Sequence, residues 1–165
     1  MATTPILALR YPLDPDTPVV GHTAIQNLAQ DFDGFFGAWT GWTPQIDQGA
    51  TTNIAKTVDV ACYRLIGKFC EFEFRCTMLG MGTVSAKVTW TLPQTSKSVG
   101  YMPVAWGGIK DVSATSNYVR SGFVDNGSQT RGVFWAASGL LGAAIFTAAL
   151  AAGDIVYANG FMEVL

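Results

Sequence analysis

Residues 68–78 read Lys-Phe-Cys-Glu-Phe-Glu-Phe-Arg-Cys-Thr-Met, and their alternation decides the fold. Cys70, Phe72, Phe74, Cys76 and Met78 fall on one side, and Glu71, Glu73, Arg75 and Thr77 on the other. Successive strand side chains point to opposite faces, so this period of two marks a strand with one dry and one wet face. Such strands belong to antiparallel sheets. The same period continues outward. Upstream, Val58, Val60 and Cys62 alternate with Thr57, Asp59 and Ala61. Downstream, Val84, Ala86, Val88, Trp90 and Leu92 oppose Ser85, Lys87, Thr89 and Thr91, and Pro93 stops the run. Further strands are predicted at 99–106, 118–124, 131–137, 143–149 and 155–164. Turn signals at 79–82, 94–97, Gly107-Gly108, 125–127 and 152–154 separate them. Short strands at this spacing predict a mostly β fold. Residues 38–165 then form a single antiparallel β-sandwich of jelly-roll type.

Residues 1–37 read differently. Pro5, Pro12, Pro15 and Pro18 remove backbone donors and fix φ, which predicts an extended arm over 1–21. Ile6, Leu7, Leu9, Tyr11 and Leu13 are nevertheless apolar, and an arm has little of its own to bury them against. A short helix is predicted over 23–36. Thr23 and Gln26 have capping-box spacing, while Asp31, Asp33 and Gly34 or Gly37 mark its end. Ile25, Leu28, Phe32 and Phe35 are spaced 3, 4 and 3, as in the seam of a helical bundle. That face either packs on its own domain or forms an oligomer axis. Trp39 and Trp42 bracket Gly41 just beyond the helix, where a neighbouring copy could pack.

Composition narrows the function. Charged residues make up 13% of the chain, about half the usual share. So few charges predict that part of the surface is covered by other copies or by a partner. The net charge is -2, and the ten Lys and Arg are scattered singly rather than set in a stripe, which argues against nucleic acid. The opening MATTPILALRYPLDPD carries no secretory pattern. Gly132 to Gly153 is free of charge, but Ala and Gly dominate it and Gly139 and Gly142 divide it into strand-sized pieces. It therefore reads as β structure and not as a membrane span.

Catalytic equipment is sparse. Cys62, Cys70 and Cys76 read as small buried hydrophobes, and the single His22 gives neither a triad nor a zinc site. No nucleophile elbow or phosphate-cradling loop occurs. Glu71 and Glu73 share a strand face, as sugar-cleaving acids would, yet Arg75 on that face favours a solvated surface. Asp31 and Asp33 lack the remaining ligands of a calcium loop, since Phe35, Gly37 and Trp39 follow. Trp39, Trp42, Trp90, Trp106 and Trp135 could build a carbohydrate platform, although core and subunit contacts are the commoner use in sandwiches. The expectation is a non-enzymatic module with no cofactor and no metal.

Three segments resemble bacteriophage virion proteins. The opening LRYPLDPDTPVVGHTAIQNLAQDFDGF is similar to the start of minor tail and fibre-type proteins of actinobacterial phages. The centre, with Tyr63 to Lys68 opening a strand and Leu92-Pro93 closing one, resembles their β-sandwich heads. The ending AAGDIVYANGFMEV resembles their final strand, except that Phe161-Met162-Glu163 departs from the usual Tyr-Glu step. The resemblance covers most of the chain. It implies a homotrimer built around the helix, with Ile25, Leu28, Phe32, Phe35 and Trp39 at the subunit interface. It also implies an arm that binds major capsid or tail proteins through Leu9, Tyr11, Pro12 and Leu13. Assembly would occur in the host bacterial cytoplasm, and the product would sit on the virion surface. Fibre proteins place a long shaft between arm and head; here the helix runs almost directly into Trp39. That departure favours a compact capsid decoration or minor tail protein. The alternative is the head of a tail fibre that recognises a receptor or host surface glycan.

Overall fold

A computed structural model describes residues 2–3, 10–11, 18–97, 103–125, 128–134 and 148–165. In chain order the elements are β1 (Ala2–Thr3), β2 (Arg10–Tyr11), α1 (Pro18–Phe35), β3 (Thr40–Gly41), β4 (Ile46–Gln48), β5 (Lys56–Ile66), β6 (Phe69–Met78), β7 (Val88–Thr91), β8 (Pro103–Asp111), β9 (Ser116–Val124), β10 (Arg131–Phe134) and β11 (Ile155–Glu163). β1 and β2 pair with each other in a two-stranded sheet. The other nine strands form one antiparallel sheet in the order β3-β5-β6-β11-β8-β9-β10-β7-β4.

That order forces the sheet to curl. Its two edge strands, β3 and β4, are consecutive in the chain and joined by residues 42–45 alone. Five extended residue steps span at most roughly 18 Å. Laid flat, nine strands would hold their edges roughly 38 Å apart. The sheet therefore bends into an open barrel whose inner wall is the core. Ring contacts agree: Phe74 on β6 lies 5.8 Å from Trp90 on β7, five places away in the sheet, and Trp42 meets Phe74 edge-on at 6.0 Å. The two layers expected of a sandwich are opposite walls of this one mostly β sheet.

Cys70, Phe72, Phe74, Cys76 and Met78 all face inward and are buried, as their alternation predicts. They pack with Ile46, Trp90, Ile109, Val124, Phe134 and Val156 in one cluster. Gly132 and Gly122 make room for Trp90, because a Cβ at Gly132 would stand 2.3 Å from the indole.

Several expectations change. α1 begins at Pro18, so the predicted arm is shorter and Thr23 lies inside the helix instead of capping it. Proline suits the first helical turn, where its missing N–H has no partner to lose. Gly107-Gly108 is not a turn but the middle of β8. A Cβ on Gly107 would lie 2.1 Å from the Tyr157 carbonyl oxygen, and one on Gly108 2.2 Å from that of Tyr118. Both glycines serve close strand approach rather than chain reversal. Val84 and Ser85 form a turn, so β7 starts only at Val88. A bulge between Val58 and Val60 resets the alternation of β5. Val58, Ala61 and Tyr63 then pack on the core, and Val60 turns outward. Of the strand predicted over 143–149, residues 143–147 lie outside the described residues, and 148–149 are not strand. Trp135 also lies outside them.

Candidate functional site

Two surfaces carry the candidate residues. The first is α1. Its C-terminal end is tied to the β5–β6 hairpin, where the Gly37 N–H donates to the Leu65 carbonyl at 2.8 Å and Phe36 bridges to Ile66. Phe35 lies against Gly67, at φ +59 in that hairpin, where a Cβ would come within 2.8 Å of the ring. Phe36 joins Phe35 at 5.4 Å and Phe32 at 5.6 Å. The rest of the seam is open. Ile25 is 63% and Phe32 50% exposed, whereas Leu28 and Phe35 are half-buried. The structure thus docks one end of the predicted interface on the head and leaves Ile25 and Phe32 exposed. Of the anchoring residues, Leu9, Pro12 and Leu13 lie outside the described residues and Tyr11 is on β2.

The second surface is the outer face of β5, β6, β11 and β8, adjacent in that order. Strand register sets Cys62, Glu73, Asn159 and Trp106 in one row across the four strands. Phe161 lies opposite Glu71 in the next row, and Tyr157 opposite Arg75 on the other side. Trp106 is 60% exposed, Phe161 50% and Trp39 47%. Two clefts meet at Trp106. One of about 570 Å³ includes Arg75, Lys110 and Tyr157 in its lining; the other, of about 490 Å³, includes Trp39, Glu71 and Phe161. Glu73, Trp106 and Asn159 line both, so the clefts form one groove with the indole between its halves.

Polar partners fix part of this face. Arg64 donates to Glu71 at 2.7 Å and stands 4.8 Å over the Trp39 ring. Arg75 lies 3.6 Å from Asp59, and the Tyr157 hydroxyl donates to Asn117 at 3.2 Å. The Cys62 thiol donates to Glu73 at 3.5 Å. Burial and that carboxylate push the Cys62 thiol up, and burial pushes Cys70 and Cys76 to about 11. All three stay protonated at neutral pH, and a thiol is a poor nucleophile. The acid pair noted in the sequence therefore meets Arg64 and Cys62 on this face.

Among the described residues, no group of three or more His, Cys, Asp or Glu is placed to hold a metal. No helix among them is long and apolar enough to cross a membrane. His22 lies within α1. Sequence reasoning named Trp106 and the two glutamates but missed Asn159, Tyr157 and Lys110 as their neighbours. Asn159 and Tyr157 fall beside them only because β11 inserts between β6 and β8, while Lys110 shares β8 with Trp106, beyond the glycines read as a turn. In fold and surface the chain is an open antiparallel β-barrel with an appended helix and an aromatic outer face. Compared with protein-family models, curated proteins and solved structures, it has no match.

Proposed function

We infer that the chain is a non-enzymatic phage virion structural protein, a homotrimeric knob on the particle exterior. Its helix supplies the trimer axis, and its N-terminal segment anchors it to a major capsid or tail protein. A role as capsid decoration or compact minor tail protein fits the direct step from α1 into the head. The observation that carries this reading is the exposure of Ile25 and Phe32 on α1, 63% and 50% in a single chain. Most helical stability in proteins comes from packing an apolar face rather than from helix propensity. Two further copies would supply that packing. The low charge content and the resemblance of the opening segment to phage tail proteins support the same assignment.

Light scattering tests it, with an expected mass of three times 17.6 kDa. Because α1 starts at Pro18, the anchor is tested by deleting residues 1–17. The shortened protein should remain trimeric but fail to join particles assembled in infected cells. A monomer at working concentrations, or normal incorporation of the shortened protein, would reject the reading.

A further inference from the structure

The outer-face groove has chemistry that the trimeric scaffold does not use, and we propose that it binds an oligosaccharide across Trp106. The aromatic part is an exposed indole at the junction of two clefts of about 570 and 490 Å³. Each is large enough for a small ligand. A pyranose offers a C–H face to such a ring and a rim of hydroxyls around it. Matching polar groups follow on one side of the indole in the register row, Asn159 one strand away and Glu73 two, because Asn159 is directly opposite both Trp106 and Glu73. Directly opposed strand neighbours stand roughly 5 Å apart at Cβ, about the width of one sugar ring. Glu73 can only accept, Lys110 can only donate, and Asn159 does both. A hydroxyl does both as well, so one sugar rim can satisfy all three.

That mixture decides against an apolar occupant. A lipid tail or a hydrophobic helix laid on Trp106 would cover Asn159 and Lys110 without pairing them, and a buried polar group without a partner is costly. A second copy of this chain is the other candidate, since Trp39 and Phe161 flank the far cleft. The two clefts that meet at Trp106, about 570 and 490 Å³, favour a small inserted ligand over a flat protein face.

The test uses the full chain on an array of defined hexose, N-acetylhexosamine and uronic-acid oligosaccharides, with hits measured by calorimetry. Trp106→Ala should weaken binding about tenfold or more, given the size of aromatic contacts, and Asn159→Ala should weaken it less. Met81→Ser, at a 71% exposed site outside both clefts, should bind like the parent. Light scattering should give all variants the parent mass. Three results would overturn the proposal: no reproducible sugar on the array, binding unchanged in Trp106→Ala, or a changed oligomer mass in that variant. The last would make the face a subunit contact.

Discussion

On β4 two neighbours, Asp47 and Gln48, face opposite sides of the sheet and tie down different parts of the chain. Gln48 points into the barrel, fully buried. Its amide donates to the Ala86 and Ala148 carbonyls at 3.2 and 3.0 Å and accepts from the Leu150 N–H at 2.8 Å. Those bonds hold the ends of two loops against an edge strand otherwise only three residues long. Asp47 points outward and is nearly buried beneath Arg131. Burial pushes its carboxyl up. The Asn53 N–H at 2.6 Å, the Gln45 amide at 2.9 Å and the Arg131 guanidinium more than offset that and hold it below the ordinary value. A depressed carboxylate adds stability above its unfolded pKa, about 3.9 for aspartate. That stability is lost as pH falls through the lower folded value. Asp47→Asn should therefore cost about 1–3 kcal/mol at pH 7, and the gap to the parent should close as pH drops below roughly 4. Urea midpoints at neutral and acidic pH would measure this. A gap that stays constant with pH would show that the charge on Asp47 is not what stabilises β4.

At the scale of the element, α1 is where local sequence and tertiary need diverge most. Its seam at Ile25, Leu28, Phe32 and Phe35 was legible from spacing alone, because helical periodicity survives whatever later covers it. Its start was not. Pro18 looks like part of the proline-rich arm, and only the chain's commitment to a helical first turn distinguishes the two. β6 was legible for the same reason as the seam, being ten residues of alternation, whereas in β5 the bulge between Val58 and Val60 put Ala61 and not Val60 on the core face. β3 and β4 escaped notice because two and three residues cannot display a period. β8 was cut short at Gly107-Gly108, since a glycine required by a neighbouring backbone looks identical in sequence to one required by a turn. If the seam is a subunit axis, Ile25→Asp with Phe32→Asp buries two carboxylates in an apolar contact, a cost of several kcal/mol. The oligomer should fall to a single chain of 17.6 kDa while the far-ultraviolet dichroism of the sheet is retained. An unchanged mass would move the axis elsewhere.

Across the whole molecule, strand order explains both what could be read and what could not. Alternation revealed which face of β6 is wet, and so placed Glu71 and Glu73 outside. It could not reveal that β11, some eighty residues later, lies beside β6 and carries Asn159 and Tyr157 to them. The groove exists only through that insertion. The same position makes β11 the hinge of stability. It pairs with β6 on one side and β8 on the other, and buries Val156, Ala158 and Met162 in the core. Burying one large apolar side chain contributes about 1.5–3 kcal/mol, and a domain's net stability is only about 5–15 kcal/mol. Losing β11 removes two such side chains and one alanine and leaves two inner strand edges unpaired. By contrast, among the described residues every member of the buried core cluster lies between Ile46 and Met162, so the described side chains of α1 contribute none of it. A chain ended after Asp154 should therefore lack near-ultraviolet dichroism and a cooperative urea transition. A chain begun at Phe36 should keep both, although it exposes the hairpin surface that Phe35 covers. If the second chain also failed to fold, the helix would belong to the folding unit of the barrel. The uncovered seam would then report on the stability of the head rather than on its assembly.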